Sequence, residues 1–380
     1  MKYALSALIT LSLVGCASTG PQAPSITPVA GSPEPVTRWA IDIVDRQGGI
    51  DYQDSARVRQ LVPDVDQSLA FAAFGNQVVS GQIDAGAEVW RTQLDETVAA
   101  GPVEQDGRVF VTTDNADLIA LDSNTGEVLW SVELPARSDA LVAVQGDRVV
   151  VQMQDGTVQA RAVSNGRTFW SYRSASQPDL SLIGTANPVL ANNLVIVANA
   201  NGSVLALSLA SGEVAWEYRL SYPKGATPVA QLVDADATPL ISGNTVLATA
   251  NDGVIYQIDL ASGRVLGDLE ASSLEQLLLA GDRLVVAEES GSVVALNSAG
   301  EALWRNDAML DRAPFAPVFW NNAIWVADTF GALIAIDPET GETLSAKQMD
   351  ISGLAESPVV TDEWMLLMSA DGRLAGIKVR

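Results

Sequence analysis

Residues 107–130 read GRVFVTTDNADLIALDSNTGEVLW, and much of the chain is further copies of them. Residues 147–170 (DRVVVQMQDGTVQARAVSNGRTFW), 193–216 (NLVIVANANGSVLALSLASGEVAW) and 282–304 (DRLVVAEESGSVVALNSAGEALW) repeat the pattern and end on tryptophan. Residues 244–267 and 322–345 keep it but put Gly267 and Ser345 where the tryptophan belongs; a weaker copy, GQIDAGAEVW, ends at Trp90. Self-similarity at such a period marks units that bury their apolar faces only by stacking on one another.

Each copy is β in character. A Val/Ile/Leu-rich alternating run leads into a pair such as Asp155-Gly156, Asn201-Gly202 or Asp252-Gly253, whose tolerance of positive φ predicts a tight two-residue hairpin turn. A second apolar strand follows, then a turn closed by Gly126, Gly166, Gly212, Gly263 or Gly341, with the tryptophan position four residues on. Upstream, Pro239, Pro317 and Pro358 stand at the start of one more strand, where no ladder donor is lost, which makes four strands per unit.

The tryptophan positions fall at 90, 130, 170, 216, 267, 304 and 345, at intervals of 40, 40, 46, 51, 37 and 41, in the range of propeller blades. The C-terminal DEWMLLMSADGRLAGIKVR (362–380) stops before its tryptophan strand, and EPVTRWAIDIV (34–44), with Trp39, supplies that strand from the other end. The sequence therefore predicts an all-β, eight-bladed β-propeller of four-stranded antiparallel blades over residues 36–380, its ring closed by an N-terminal strand that completes the last blade.

Composition excludes whole classes of function. The formal charge is 22 − 46 = −24, which argues against a nucleic-acid partner and against direct adhesion to anionic lipid. With no histidine, a Ser-His-Asp triad, a histidine base and most zinc sites are ruled out. Cys16 is the only cysteine, and neither G-x-x-x-x-G-K-[ST] nor G-x-G-x-x-G occurs. The expectation is a protein that is not an enzyme and uses no cofactor or metal.

Cys16 closes an N-terminal segment of its own. Lys2 precedes the apolar run Ala4–Val14, which suits the h-region of a signal peptide over residues 1–15 and is too short to span a bilayer. Leu13-Val14-Gly15-Cys16 resembles a bacterial lipobox, which implies cleavage before Cys16 and acylation of that residue. Ala17, in place of aspartate, implies by the same resemblance the outer membrane, with the body facing the periplasm and the lipid its only membrane attachment. Residues 16–35 then read as the lipidated cysteine and a disordered, Pro-rich tether, whose 19 residues after Cys16 could reach roughly 60 Å.

The units ALDSNTGEVLW and AIDPETGE resemble the repeats of pyrroloquinoline-quinone-type eight-bladed propellers. One branch, the quinoprotein alcohol dehydrogenases, is much longer and typically uses an adjacent-cysteine disulfide, calcium and a catalytic Asp; a chain with one cysteine lacks that disulfide. The other is the BamB family of lipoproteins of the outer-membrane β-barrel assembly (BAM) machinery, similar in lipobox, length, acidic body and eight repeats. That resemblance implies a non-enzymatic scaffold that binds BamA and, through it, the rest of the complex, with transient pairing of unfolded outer-membrane proteins at sheet edges as a further implication. The alternative is a diverged quinoprotein holding pyrroloquinoline quinone in its central channel, which converging basic side chains would favour.

The breaks in the repeat place the site. The intervals of 46 and 51 carry extra residues between a tryptophan strand and the next blade, on the rim that holds the Asp-Gly turns. SASQPDLSLIGTANP (174–188) presents Leu180, Leu182 and Ile183, and SYPKGATPVAQLVDADATP (221–239) presents Asp234 and Asp236, so the 176–188 and 222–239 loops are the expected binding loops. Apolar anchors beside charge fit a protein-recognition surface. In the family an L-x-L-R and a D-x-D segment are implicated in binding BamA; Leu180 and Leu182 match the leucines, Asp234 and Asp236 the aspartates, and Ile183 stands where arginine is expected. Asp234 does not open a calcium loop, since Pro239 and Thr245 take the positions that need Gly and Glu.

Overall fold

Eight four-stranded antiparallel sheets follow one another in the computed structural model, which describes residues 26–29, 31, 33–43, 62–66, 68–174, 186–221, 237–250, 254–270, 277–288 and 290–380. Blades 1 to 7 span 64–93, 98–133, 143–173, 189–219, 240–270, 278–306 and 318–348, each with its strands in sequence order. Blade 8 takes three strands from 359–379 and its outer one, Pro35–Asp42, from the other end of the chain, pairing Pro35 with Val379 and Asp42 with Arg373. The predicted ring closure is thus present, and blade 1 follows blade 8 without a free radial end.

Burial follows position in the blade. The short first strands are innermost, since those of blades 1 and 2, 3 and 4, 6 and 7, and 7 and 8 approach one another. Second and third strands are buried on both faces because a blade packs against a neighbour on each side; the third strand of blade 3, Thr157–Ala162, is buried throughout, its Gln159 and Arg161 included. Apolar clusters accordingly straddle blades: Val158, Ala160 and Trp170 of blade 3 meet Val195, Val197, Leu205 and Leu207 of blade 4. Fourth strands lie on the circumference and alternate, as in Thr168–Arg173, where Trp170 alone is fully buried.

The repeated tryptophan fastens each blade to the next. The indole Nε1–H of Trp90 donates to Ser123 O (2.9 Å), Trp130 to Val163 O (3.0 Å), Trp170 to Leu209 O (2.9 Å), Trp216 to Leu260 O (2.9 Å) and Trp304 to Pro338 O (3.0 Å). Trp39 closes the ring by donating to Ile83 O of blade 1 at 2.5 Å. Each acceptor lies three residues before a turn glycine that the ring covers: a Cβ on Gly212, with φ +75°, would come within 2.6 Å of the Trp170 ring. Trp and Gly therefore recur together because they are two halves of one inter-blade contact.

Two junctions lack it. Between blades 5 and 6, Gly267 replaces the tryptophan, and the facing turn is also one residue shorter: Gly300 N–H reaches Asn297 O, whereas Gly126 N–H reaches Asp122 O. Leu269 covers Gly300 instead, 2.9 Å from where a Cβ would stand. Between blades 7 and 8, the Ser345 hydroxyl donates to Pro33 O (2.7 Å).

The turns define two rims. Connections between blades bond to the turns between second and third strands, as in Leu134 N–H to Ala116 O and Leu220 N–H to Gly202 O, so both lie on what is here termed the loop rim. The other two hairpin turns of each blade meet on the turn rim, where Ser123 N–H donates to Gly107 O. The Asp155-Gly156 turn differs from the two-residue geometry anticipated. Gly156 alone has positive φ, its N–H donates to Met153 O (3.0 Å), and Asp155 Oδ1 accepts from Thr157 N–H (3.0 Å), so one left-handed glycine ends a longer turn. Paired positive φ occurs on the turn rim, at Asn192-Asn193 and Asn321-Asn322. Asp252-Gly253 lies outside the described residues.

The Pro-rich stretch read as a spacer up to residue 35 is already seated on the propeller at Ile26. Val29 and Ala346 exchange both backbone hydrogen bonds (3.2 and 3.1 Å), which adds an antiparallel contact to the outer edge of blade 7. Ile26 and Val29 pack on the cluster that includes Trp304 and Ile336. Two apolar side chains and an unpaired sheet edge outweigh the spacer-like composition here. Residues 1–25, with the expected signal segment and Cys16, lie outside the described residues.

Candidate functional site

The loop rim over blades 2 to 5 is underlain by a connected polar network. The buried Thr112 hydroxyl donates to Ser138 O (3.0 Å), the Ser138 hydroxyl to Gln152 O (2.7 Å), and the Gln152 amide to Ala198 O (2.8 Å), running from blade 2 to blade 4. A second run joins the connections themselves: Leu141 N–H donates to Asn187 Oδ1 (2.7 Å), and Asn187 N–H to Thr238 Oγ1 (3.1 Å). Asn187 and Thr238 are the last residues but one of the two insertions, so both loops return to the body at one place. Buried hydrogen bonds of this kind fix a geometry that apolar packing leaves adjustable.

Beside this platform lies a charged cluster. Arg137, in the connection from blade 2 to blade 3, pairs with Asp114 (3.1 Å) and Asp139 (2.6 Å), and the Gln154 amide also donates to Asp139. Burial pushes the Asp139 carboxyl above its ordinary range, and Arg137 only partly offsets this. Asn199, at the end of the second strand of blade 4, is 2 % exposed with neither amide atom hydrogen-bonded.

The residues expected to touch a partner, Leu180, Leu182, Ile183, Asp234 and Asp236, lie outside the described residues; the described stems bring their two loops together. One long connection on this rim escaped the sequence reading. Residues 44–61 join Ile43, whose N–H bonds Gly372 O at the last loop-rim turn, to the first strand of blade 1. The signal was available: Trp39 to Trp90 is 90 − 39 = 51 residues, equal to the longest interval counted. The polar network has no such signal, because its members are single residues scattered over strand ends and inter-blade connections.

The channel bears on the quinone alternative. The eight innermost strands, DVD, VAAGPVEQ, AVQ, VLA, LIS, LLA, VFW and VV, contain no Lys or Arg. At blades 1 and 2 they carry carboxylates instead. Burial raises the pKa of Asp64, against hydrogen bonds from Glu104 and Val65 N–H, and burial likewise raises Glu104, with Asp66 and Asp64 adding repulsion. A ligand bearing carboxylates meets like charge there. Among the described residues no group of three or more His, Cys, Asp or Glu is placed to hold a metal ion. A cavity of about 310 Å³ lined by Arg108, Arg167 and Phe169, with the Arg148 guanidinium 4.6 Å over the Phe169 ring, opens on the turn rim between blades 2 and 3, away from the channel.

A closed ring of eight such four-stranded blades, with the described stems of its long connections on one rim, is the architecture of a propeller of the pyrroloquinoline-quinone-repeat class. Within that class, residues 75–299 and 289–380 match the family described as outer membrane protein assembly factor BamB, and the chain belongs to that family. It is 27% identical over 393 residues to the BamB of Shewanella oneidensis, covering 98% of each chain. The crystal structure of BamB from Moraxella catarrhalis superposes with a TM-score of 0.80 at 25% identity, over 91% of this chain and 100% of that one. The quinohemoprotein alcohol dehydrogenase of Comamonas testosteroni, at TM-score 0.70 and 12% identity over 92% of this chain and 77% of that one, shares the fold alone.

Proposed function

We propose that this chain is a non-enzymatic, lipid-anchored scaffold in the assembly of outer-membrane β-barrel proteins. Its Cys16 carries the lipid, its body faces the periplasm, and its loop rim binds the periplasmic part of BamA. The observation that supports the reading is the Asn187–Thr238 hydrogen bond, which joins the described stems of two loops from different blade junctions. Leu180 and Leu182 supply the apolar anchor of that surface, with Ile183 extending it, and Asp234 and Asp236 its charge. The absence of histidine from the chain and of basic side chains from the innermost strands supports scaffold over quinone enzyme.

The test is co-purification with BamA from detergent-solubilised membranes. The double variant Leu180→Ala, Leu182→Ala is expected to lose most BamA while its thermal unfolding stays unchanged, because truncating central anchors removes roughly 2 kcal/mol or more each. Undiminished recovery of BamA would refute the site. A visible spectral shift on adding pyrroloquinoline quinone with calcium would favour the enzyme class instead.

A further inference from the structure

The segment ahead of the ring-closing strand has a direction as well as a place. Val29 pairs antiparallel with Ala346, and Gly31 lies against Leu344 so closely that a Cβ would come within 2.0 Å of its carbonyl oxygen. Later residues of the segment therefore run beside earlier residues of the outer strand of blade 7, Thr343–Gln348. That strand starts at the Gly341 turn on the turn rim and ends at Met349, whose N–H bonds Gly331 O on the loop rim. Traced backwards from Val29, the chain thus heads for the loop rim.

Contacts along the whole length hold it there. Ile26 and Val29, both partly buried, pack against the cluster that includes Trp304. Pro33 O accepts the Ser345 hydroxyl at the junction where the repeat lacks its tryptophan. Lys347 donates to Pro35 O (3.0 Å) and pairs with Glu34 (3.5 Å), and Arg380 N–H donates to Glu34 O (3.1 Å). From Glu34 the chain turns over and returns to the loop rim as Pro35–Asp42.

We propose that residues 26–34 are an orienting strap: by delivering the N-terminal chain at the loop rim of blades 6 and 7, they make that rim, rather than the turn rim, the face held towards the membrane. This rests on the proposed lipid anchor at Cys16. With the strap seated, residues 17–25 are all that separates the lipid from the body, a covalent reach of about 30 Å, roughly half that of a tether free to residue 35. The propeller is about 20 Å or more from rim to rim along its six-residue strands, so so short a link does not serve both faces equally. The surface presented to the bilayer side, and to the membrane-proximal part of any partner, is then the one that carries the long loops.

The sequence makes a clean experiment possible, because with Cys16 acylated one introduced cysteine is the only free thiol. Ser290→Cys on the loop rim and Asp282→Cys on the turn rim of the same blade are labelled with a donor dye. The lipidated full chain is then placed in phosphatidylethanolamine–phosphatidylglycerol vesicles with a head-group acceptor. Energy transfer is expected to be clearly higher from position 290 than from 282, and the difference is expected to shrink in Val29→Pro, which removes the N–H given to Ala346 O. Equal transfer from both positions, or a difference untouched by Val29→Pro and by Ile26→Glu, overturns the proposal. The anchor is read separately, as acyl mass on the mature N-terminus and flotation with vesicles; its absence refutes the lipid reading and, with it, the membrane orientation. The strap is read on unlipidated chain by hydrogen exchange. Val29 and Ala346 amides slowed about tenfold or more over an unprotected amide support it, and unprotected exchange there overturns it.

Discussion

Gly212 and Gly243 both hold positive φ, +75° and +57°, yet they differ in what surrounds them. Nothing lies within 4 Å of a Cβ at Gly243, whereas at Gly212 it would strike the Trp170 ring. Gly243→Ala is therefore expected to cost about 1–2 kcal/mol of backbone strain, and Gly212→Ala about 1–3 kcal/mol more from overpacking, in denaturant unfolding. Equal losses would mean that the Trp–Gly contact is not what fastens blade to blade. Charge at the residue scale gives a second prediction. Asp139, Asp64 and Glu104 are all raised by burial, and a carboxyl with a raised folded pKa binds its proton more readily in the native state. Folding therefore gains as the pH falls through those raised values to the ordinary carboxylate range, and the melting temperature should be higher at about pH 4.5 than at about pH 7.5. The gain ends below the ordinary carboxylate range, where Asp337, held low by Thr340 N–H, and Asp259, held low by Ser262, lose their native hydrogen bonds on protonation. Asp139→Asn should reduce the difference between the two pH values; an unchanged difference would place its origin elsewhere, for instance in relief of the overall charge of −24.

At the scale of the blade, the repeat could be read because stacked blades impose it. A third strand such as Ala332–Ile336 is buried on both faces, so it is apolar without alternation, and a covered turn demands glycine at each copy. What the repeat could not announce is coupled change. Gly267 reads as one lost tryptophan, but the structure shows the acceptor side altered too, with the turn at Asn297–Gly300 one residue short. The carbonyl that should take the indole N–H is out of register, so Gly267→Trp alone is expected to give no stabilisation. The junction of blades 5 and 6 should also open first. In native-state hydrogen exchange the amides of Val265–Glu270 are expected to be released at lower denaturant than those of Thr168–Arg173, whose Trp170 is fastened to Leu209 O. Simultaneous release of the two strands would show that Leu269 over Gly300 replaces the missing contact fully. The same limit applied to the site. The repeat intervals mark the two insertions, but Asn187 and Thr238, whose hydrogen bond ties their bases together, look like ordinary connection residues until the blades are assembled.

For the whole molecule, closure by a strand from the far end means that the ring is only as secure as Pro35–Asp42. Trp39 from that strand bonds Ile83 O in blade 1, packs at a tilt against Trp364 of blade 8 with ring centroids 5.9 Å apart, and lies against Gly376 so closely that no Cβ would fit there. Without it the Arg373–Val379 strand, buried over most of its length, becomes an open apolar edge, which is a template for pairing with a second chain. The strap before it contributes an edge contact and a pair of partly buried side chains but closes nothing. Two truncations separate these roles. Removing residues 1–34 is expected to leave a monomer that melts a few degrees lower, in keeping with loss of about 1–2 kcal/mol. Removing residues 1–43 is expected to give chains that associate on sedimentation and lose the cooperative transition, with both defects reversed by a synthetic peptide of residues 35–43, which supplies the missing strand in trans. A monomeric, cooperatively melting 44–380 chain would show that the seven complete blades and the three remaining strands of blade 8 hold the ring without its closing strand, and a failure of the peptide to rescue would move the cause of the defect from the open edge to the loss of the connection through residues 44–61.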